Sequence, residues 1–388
     1  MRGARQSLES RKGEIVMDIG IPKEIRAREH RVALTPSGVK ALVQAGARVF
    51  VQKDAGVEAG FLDADFESAG ATIVYSRGEV FGRSELAVAM NAPEPTEYEA
   101  LSPGQAVVAF WALPAARPED FRALLEREVT AVGVEVIEDS RGHAPLVTTM
   151  SEIAGQLALT IGSGLLLNEF GGKGILLSGA PGVPPASFVI LGAGVLGRSA
   201  ARAALGMGTH VVLLDRSVEH LRYACEHLGR QVPTMLATRP NIERALSFAD
   251  LVLAAVAIRG ERAPMLVSRE MLKLMKPRSV VMDLSIDMGG CFETSRPTSF
   301  PHPVYEVDGI LHFCVPNLPS VAARSATLAY TNALLPYLTQ VVEKGIDGAL
   351  AVNGDLRRGV YLYRGACALE PLARVFGVPH QPLPFADE

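Results

Sequence analysis

The sequence predicts an α/β protein built of two Rossmann-like domains, and three observations lead there. Apolar runs of strand length alternate with helix-like stretches along most of the chain, the pattern of parallel sheets. One such run ends in a glycine turn that opens a helix. At 388 residues the chain also exceeds the size at which a single hydrophobic core keeps growing, so two cores are expected.

Residues 18–22 (DIGIP) read as a short strand ending in a turn. Thr35-Pro36-Ser37-Gly38 then opens a helix, with Thr35 or Ser37 as cap and Val39, Leu42 and Val43 along one face. Residues 48–52 (RVFVQ) alternate like a strand, 63–69 read as helix and 71–75 as strand. The apolar runs 86–90, 106–111 and 129–136 complete the first series, which carries no glycine fingerprint. Residues 150–168 form a long helical pattern rich in small residues (Ala154, Gly155, Ala158, Gly162, Gly164). Small residues let a helix pack closely, so this stretch reads as the bridge between domains. After turns at 171–174 and 180–185, a second series follows with strands at 187–191, 210–214, 251–256 and 279–283. Residues 327–344 read as another long helix, and the tail as helical before a proline-rich end.

Composition narrows the function classes. With 48% hydrophobic and 21% charged residues, the chain is an ordinary globular one. A net charge of -4 leaves no footprint for nucleic acid or an anionic membrane. Apolar runs break well before the ~18 residues that a membrane span requires. Cys225, Cys291, Cys314 and Cys367 are scattered, with no C-x-x-C pair, which suits buried thiols in a reducing compartment better than disulfides or zinc. Residues 1–16 are basic and polar without an apolar core, so they read as an N-terminal extension or an upstream start, not a secretory signal. A cytoplasmic protein is expected.

The strongest motif is Gly192-Ala193-Gly194-Val195-Leu196-Gly197, between the strand at 187–191 and the helix that follows. Gly192 permits the tight turn, Gly194 lets backbone approach a pyrophosphate, and Gly197 allows close helix–strand packing. The helix N-terminus offers unpaired N–H groups and its positive dipole end to phosphates. Taken alone such a turn is weak evidence, but here the next strand ends at Asp215, 18 residues after Gly197. An acid there accepts hydrogen bonds from ribose hydroxyls and repels a 2′-phosphate, favouring NAD over NADP. Arg216 beside it could accommodate that phosphate instead.

In VMDLSIDMGG (281–290), a buried strand runs into a glycine turn. Ligands lie beyond the carboxyl ends of strands in doubly wound sheets, which places Asp287 for chemistry and leaves Asp283 a cap or turn residue. Arg31, in EHRVALTP (29–36), is either a solvated surface arginine or a carboxylate clamp, and the residues themselves leave those two even.

Together these pieces resemble the alanine dehydrogenase/transhydrogenase family. The matching segments are IPKEIRAREHRVALTPSGV (21–39), MSEIAGQLA (150–158), GGKGILLSGAPGV (171–183), ILGAGVLGRSAARAALGMG (190–208), KPRSVVMDLSIDMGGCFETSRPT (276–298), HFCVPNLPS (312–320) and TNALLPY (331–337). They run in order from about Met17 almost to the C-terminus, and DMGGCFETSRPT with VPN favours the soluble dehydrogenases. The resemblance implies a discontinuous substrate domain, 17–145 plus 324–388, with an NAD-binding Rossmann domain, 146–323, inserted into it and substrate in the cleft. It implies that Arg31 holds the substrate carboxylate, that Asp287 is an acid beside the nicotinamide, and that Ser151, Asp215 and Asn317 contact the cofactor. It also implies a homo-oligomer, hexamer or dimer, and a small carboxylate substrate; no metal site is expected.

One departure stands out. The family places a lysine in a KVKEP-like motif and a histidine in an LHL-like motif; reading in step, these fall on Ala89 and Ala112. No lysine occurs between Lys53 and Lys173, and no histidine between His30 and His143. The cleft is therefore expected to be larger and more apolar around Ala89, Met90, Trp111 and Ala112, with Asn91 and His30 as polar substitutes. The leading expectation is an NAD(H)-dependent oxidoreductase, transferring hydride at the carbon next to a carboxylate, with an altered substrate such as a larger 2-amino acid or an imine. A genuine L-alanine dehydrogenase and a catalytically silent NAD-binding protein are the alternatives. Replacing Arg31 by alanine is expected to weaken substrate binding with little effect on stability.

Overall fold

The computed structural model describes residues 17–229, 232–257 and 262–385. The expected N-terminal extension lies outside the described residues. Two compact units emerge: one takes the chain up to Thr149 and again from Ala322, and the other is Met150–Val321.

The first unit is an eight-stranded sheet. Its strands are β1 (Asp18–Ile21), β2 (Arg48–Gln52), β3 (Thr72–Val74), β4 (Leu86–Asn91), β5 (Ala106–Phe110) and β6 (Thr130–Gly133), joined by β14 (Val360–Tyr363) and β15 (Ala366–Cys367) from the chain's last part. The order is β15-β14-β6-β5-β4-β1-β2-β3, parallel from β6 to β3 and antiparallel at β14 and β15. The chain leaves β1 towards β2 and β3, then returns to the other side of β1 for β4 and beyond. The order thus reverses between β1 and β4, where a doubly wound sheet opens a crevice at its carboxyl ends. Thr35, not Ser37, caps the first helix, Pro36–Gln44, by accepting from Gly38 N at 3.1 Å.

The second unit is a seven-stranded sheet of β7 (Ser187–Leu191), β8 (His210–Asp215), β9 (Thr234–Leu236), β10 (Leu251–Ala254), β11 (Val280–Asp283), β12 (Val304–Val307) and β13 (Ile310–Phe313). Its order is β12-β13-β11-β10-β7-β8-β9, all parallel except the edge strand β12. Here the order reverses between β7 and β10. Leu253, Ile190, Leu213 and Met282 pack one face of this sheet, and Val252, Val189, Val212 and Val281 the other, as near-continuous apolar strands buried on both sides require.

Several expectations need correction. The tail is not simply helical: β14 and β15 form a hairpin on the sheet before the helix Glu370–Phe376. The run 129–136 is a strand only to Gly133, then a 3-10 turn over Val134–Val136. The bridging helix is Pro145–Leu165, and the long C-terminal helix, Ala323–Val352, breaks at Gly345, whose φ is 70°. Cys291, Cys314 and Cys367 are buried and Cys225 half-buried, and all four are free thiols. No helix among the described residues is long and apolar enough to cross a membrane.

His312 on β13 is fully buried, with Nδ1 donating to Ile310 O at 3.0 Å and Nε2 accepting from Thr294 Oγ1 at 2.8 Å. Burial holds its pKa below the ordinary histidine value, against the pull of Asp283 and Asp308. The unfolded chain therefore binds the proton more readily, and stability falls as pH drops through the ordinary histidine range of about 6.5. His312→Asn should lose this component, leaving a shallower fall in melting temperature between about pH 7 and 5. Parallel profiles for the two proteins would show that His312 does not carry it.

Candidate functional site

In the first unit, four strand ends converge beside the switch between β1 and β4. The loop after β1 carries Glu24, Glu29 and Arg31, β4 ends in Asn91, β5 runs into Trp111 and Ala112, and β6 leads to Glu135. The long helix of the same unit fixes the Arg31 loop: Val32 N donates to Thr327 Oγ1 at 3.2 Å and Thr35 N to Thr331 Oγ1 at 3.0 Å.

Arg31 is no surface residue. It is 5% exposed, and its Nε and Nη2 fork onto the equally buried Glu29 carboxylate at 2.6 and 2.5 Å. Losing one partner of a buried pair strands the other charge, at a cost of about 3–5 kcal/mol. Arg31→Ala should therefore destabilise the fold by about that much, contrary to the expectation that stability would hardly change.

Asn91 ties this pair to a second, half-buried carboxylate. Its Nδ2 donates to Glu24 Oε2 and to Glu29 Oε2, each at 3.0 Å, and its Oδ1 accepts from Arg26 Nη1 at 3.2 Å. That network fixes the amide orientation, because carboxylates only accept and a guanidinium only donates. Glu24 also accepts from Met90 N at 2.7 Å, and burial pushes its carboxyl above the ordinary glutamate value. Sequence reasoning missed Glu24, because nothing in KEIRARE distinguishes a buried acid from a solvated one.

The sequence places Ala89 at the substrate; in the structure it is a core residue. Ala89 is 1% exposed and packs in the core with Ala87, Val107, Ala109 and Trp111; Met90 is fully buried as well. The expected enlargement around these residues is filled by core packing. Ala112 differs: it is exposed, with a left-handed backbone at φ 49°. Glu135 holds that turn by accepting from Ala112 N at 2.7 Å and Trp111 N at 3.1 Å, with the Tyr361 hydroxyl at 3.2 Å, while burial raises its carboxyl pKa. Tyr330, on the long helix, is fully buried and its hydroxyl has no hydrogen-bond partner. An unpaired buried hydroxyl costs about 1–3 kcal/mol, so it calls for an explanation. His30 sits half-buried against Glu58 at 2.7 Å.

In the second unit the glycine turn follows β7 at the β7/β10 switch. Gly192 adopts φ 112°, and a Cβ there would strike Ala255 O at the end of β10; a Cβ on Gly197 would strike Gly192 O. Both glycines are required by the chain itself. Gly194 is not: its φ of -67° suits any residue and a Cβ would meet nothing within 4 Å. The open space at this helix N-terminus, with Val195 and Leu196 in the first turn, is a cradle that a side chain would fill and a phosphate can occupy. Asp215 closes the turn, accepting from Ala193 N at 2.7 Å and Ser217 N at 2.8 Å; Arg216 is exposed. Arg198, one residue past the motif, donates to Ala193 O at 2.6 Å and stacks over Tyr223, placing a cation at the turn that the motif alone does not announce.

Beyond β11, Asp283 is fully buried and accepts from Ser285 N, Cys291 N and Ser295 Oγ, the turn-bracing role the sequence favoured. Asp287 is exposed in the 3-10 turn Ile286–Met288, and Asn317 N lies 3.4 Å from its Oδ2. Asn317 takes φ 51°, a conformation asparagine adopts more readily than most residues. Ser151 is half-buried on the helix Pro145–Leu165. The cavity lined by Arg269, Arg296, Tyr305 and Asp308 borders the edge strand β12 and shares no residue with these groups.

Comparison with known proteins places two domain families on the chain: alanine dehydrogenase/PNT, N-terminal domain, over residues 20–154, and alanine dehydrogenase/PNT, C-terminal domain, over 158–370. The alanine dehydrogenase of Methanococcus maripaludis is 40% identical over 367 residues, covering 94% of this chain and 98% of the relative. That of Bacillus subtilis is 41% identical over 367 residues, covering 94% and 96%. A solved L-alanine dehydrogenase, 39% identical, superposes with a TM-score of 0.89 over 93% of this chain and 99% of the other.

Proposed function

The chain belongs to the alanine dehydrogenase/PNT family, and on that footing we propose that it is an NAD(H)-dependent amino-acid oxidoreductase whose substrate differs from alanine. The observation that carries the altered substrate is that β4 ends in Asn91, hydrogen-bonded to the Glu29 that holds Arg31, and that the neighbouring β5 runs into Ala112. Asn91 is a neutral amide and Ala112 a methyl group, where proton transfer calls for titratable side chains.

When bound, NAD+ supplies a two-electron acceptor for the carbon next to the substrate carboxylate. Gly192, Gly194, Val195, Leu196 and Gly197 would hold its pyrophosphate, Asp215 its ribose hydroxyls, and Ser151 and Asn317 further parts. The open cradle at Gly194 fits that group. Arg31 is the cation assigned to the substrate carboxylate, with its plane set by Glu29. Asp287 is the exposed acid assigned to proton handling.

Because Arg31→Ala unsettles the fold, its binding role is better read from Arg31→Lys. A point charge cannot reproduce the guanidinium fork, so the substrate KM should rise while NADH affinity holds. An unchanged KM would remove Arg31 from substrate recognition.

A second reading, genuine L-alanine dehydrogenase, is favoured by about 40% identity to proteins of that name over nearly the whole chain. Turnover of 2-amino acids with NAD+, and of 2-keto acids with ammonia or amines and NADH, decides between the two. Alanine as the preferred substrate would establish the second.

A further inference from the structure

We propose that the substrate carries a second cationic group, seated against Glu24, so that this chain acts on a basic 2-amino acid. The inference rests on the amino-acid reading above and names its substrate class.

The argument starts from how charge is answered around Asn91. Glu29 is met by the buried guanidinium of Arg31. Glu24 has only amides: Met90 N at 2.7 Å, Asn91 N at 3.4 Å and Asn91 Nδ2 at 3.0 Å. Among the described residues it makes no ion pair. Arg77 influences it from a distance, but is itself committed to Glu97 and to Lys23 O. Both Glu24 oxygens accept N–H bonds, while burial and the neighbouring Glu29 charge push its carboxyl pKa up; a cation seated against it would offset both effects.

Tyr330 supplies an independent sign of a missing ligand. Its hydroxyl is fully buried and unpartnered, in the electrostatic reach of Arg31, Glu135, Glu24 and Glu29. Strand ends and helix have therefore gathered a carboxylate lacking a cation and a hydroxyl lacking a partner beside the proposed carboxylate anchor. An ammonium or guanidinium donates to both, and its charge answers Glu24. A neutral side chain of equal length answers neither.

The test compares L-lysine and L-ornithine with their uncharged isosteres, L-norleucine and L-norvaline, on the full chain with NAD+. The basic acids should be preferred in kcat/KM by at least about tenfold. Glu24→Gln should collapse that ratio, and Asn91→Lys should do the same by placing a resident ammonium against Glu24, with melting temperature confirming both folds. Isosteres turned over as well as the basic acids would overturn the cation seat and leave the amino-acid reading standing. Calorimetry with L-lysine in the presence of NADH separates the converse case. Binding that Glu24→Gln abolishes, without turnover of any 2-amino acid, would keep the seat and defeat the reading on which it rests. Neither binding nor turnover would overturn both.

Discussion

Gly194→Leu is expected to abolish NAD(H) binding without disturbing the fold. At most glycines in a turn the two effects cannot be separated. Gly192 needs its left-handed φ of 112°, and Gly197 packs against Gly192 O, so side chains there damage the turn itself. Gly194 has an ordinary backbone and open space where a side chain would go. A leucine there meets no protein atom at its Cβ and takes the volume that the pyrophosphate would occupy in the proposed cofactor site. Affinity should fall by more than about 100-fold, or about 2.7 kcal/mol, at an unchanged melting temperature. Titration calorimetry checks it. Retained affinity would make the turn purely structural and place the cofactor elsewhere, whereas Gly197→Leu, as a control, should lower the melting temperature.

The second large effect concerns alanine. With Asn91 and Ala112 at the strand ends, wild-type turnover of L-alanine should lie on the order of 10²–10⁴ below that of an enzyme with positioned acid–base groups. The natural place to restore a lysine is Asn91, not Ala89. An ammonium at 89 would be buried among Val107, Ala109 and Trp111 with no partner, whereas one at 91 would stand between Glu24 and Glu29. Ala112 already holds the left-handed conformation in which histidine is enriched among side chains, so Ala112→His requires no new backbone. The double variant Asn91→Lys/Ala112→His should recover most of the deficit in kcat/KM for alanine. Each single change should recover much less, since groups acting as a unit are not additive. Equal gains from the singles and the double would show that the two positions do not cooperate.

How much of this was legible in the sequence depended on whether the signal was local. The glycine turn, a helix cap at Thr35 or Ser37 and the turn-bracing Asp283 announce themselves through short sequence patterns, and the sequence shows them even though Ala255 and Asp215 complete the turn from farther along the chain. Arg31 was visible as a candidate, but its burial was not. The Glu29 partner two residues away looks the same whether the pair is solvated or enclosed, and enclosure comes from Thr327, Tyr330 and Thr331 nearly 300 residues on. Glu24, Glu135 and Tyr330 were invisible for the same reason: parallel strand order, not sequence spacing, brings the ends of β1, β4, β5 and β6 together. The burial of Ala89 escaped the sequence for a different reason. An in-step reading assigns a position but not an exposure, and the ladder between β4 and β5 is irregular between Val88 and Asn91. The hairpin of β14 and β15 escaped notice because strands of four and two residues carry too little periodicity to separate from a helical tail.

The most direct test of an altered substrate is the rate of NADH formation by the purified wild-type chain with saturating L-alanine and NAD+. The account predicts a kcat far below the ~10 s⁻¹ typical of enzymes, with a 2-amino acid bearing a second cation turned over faster. Alanine turnover at about 10 s⁻¹, with no other amino acid faster, would contradict it and return the chain to plain alanine dehydrogenation.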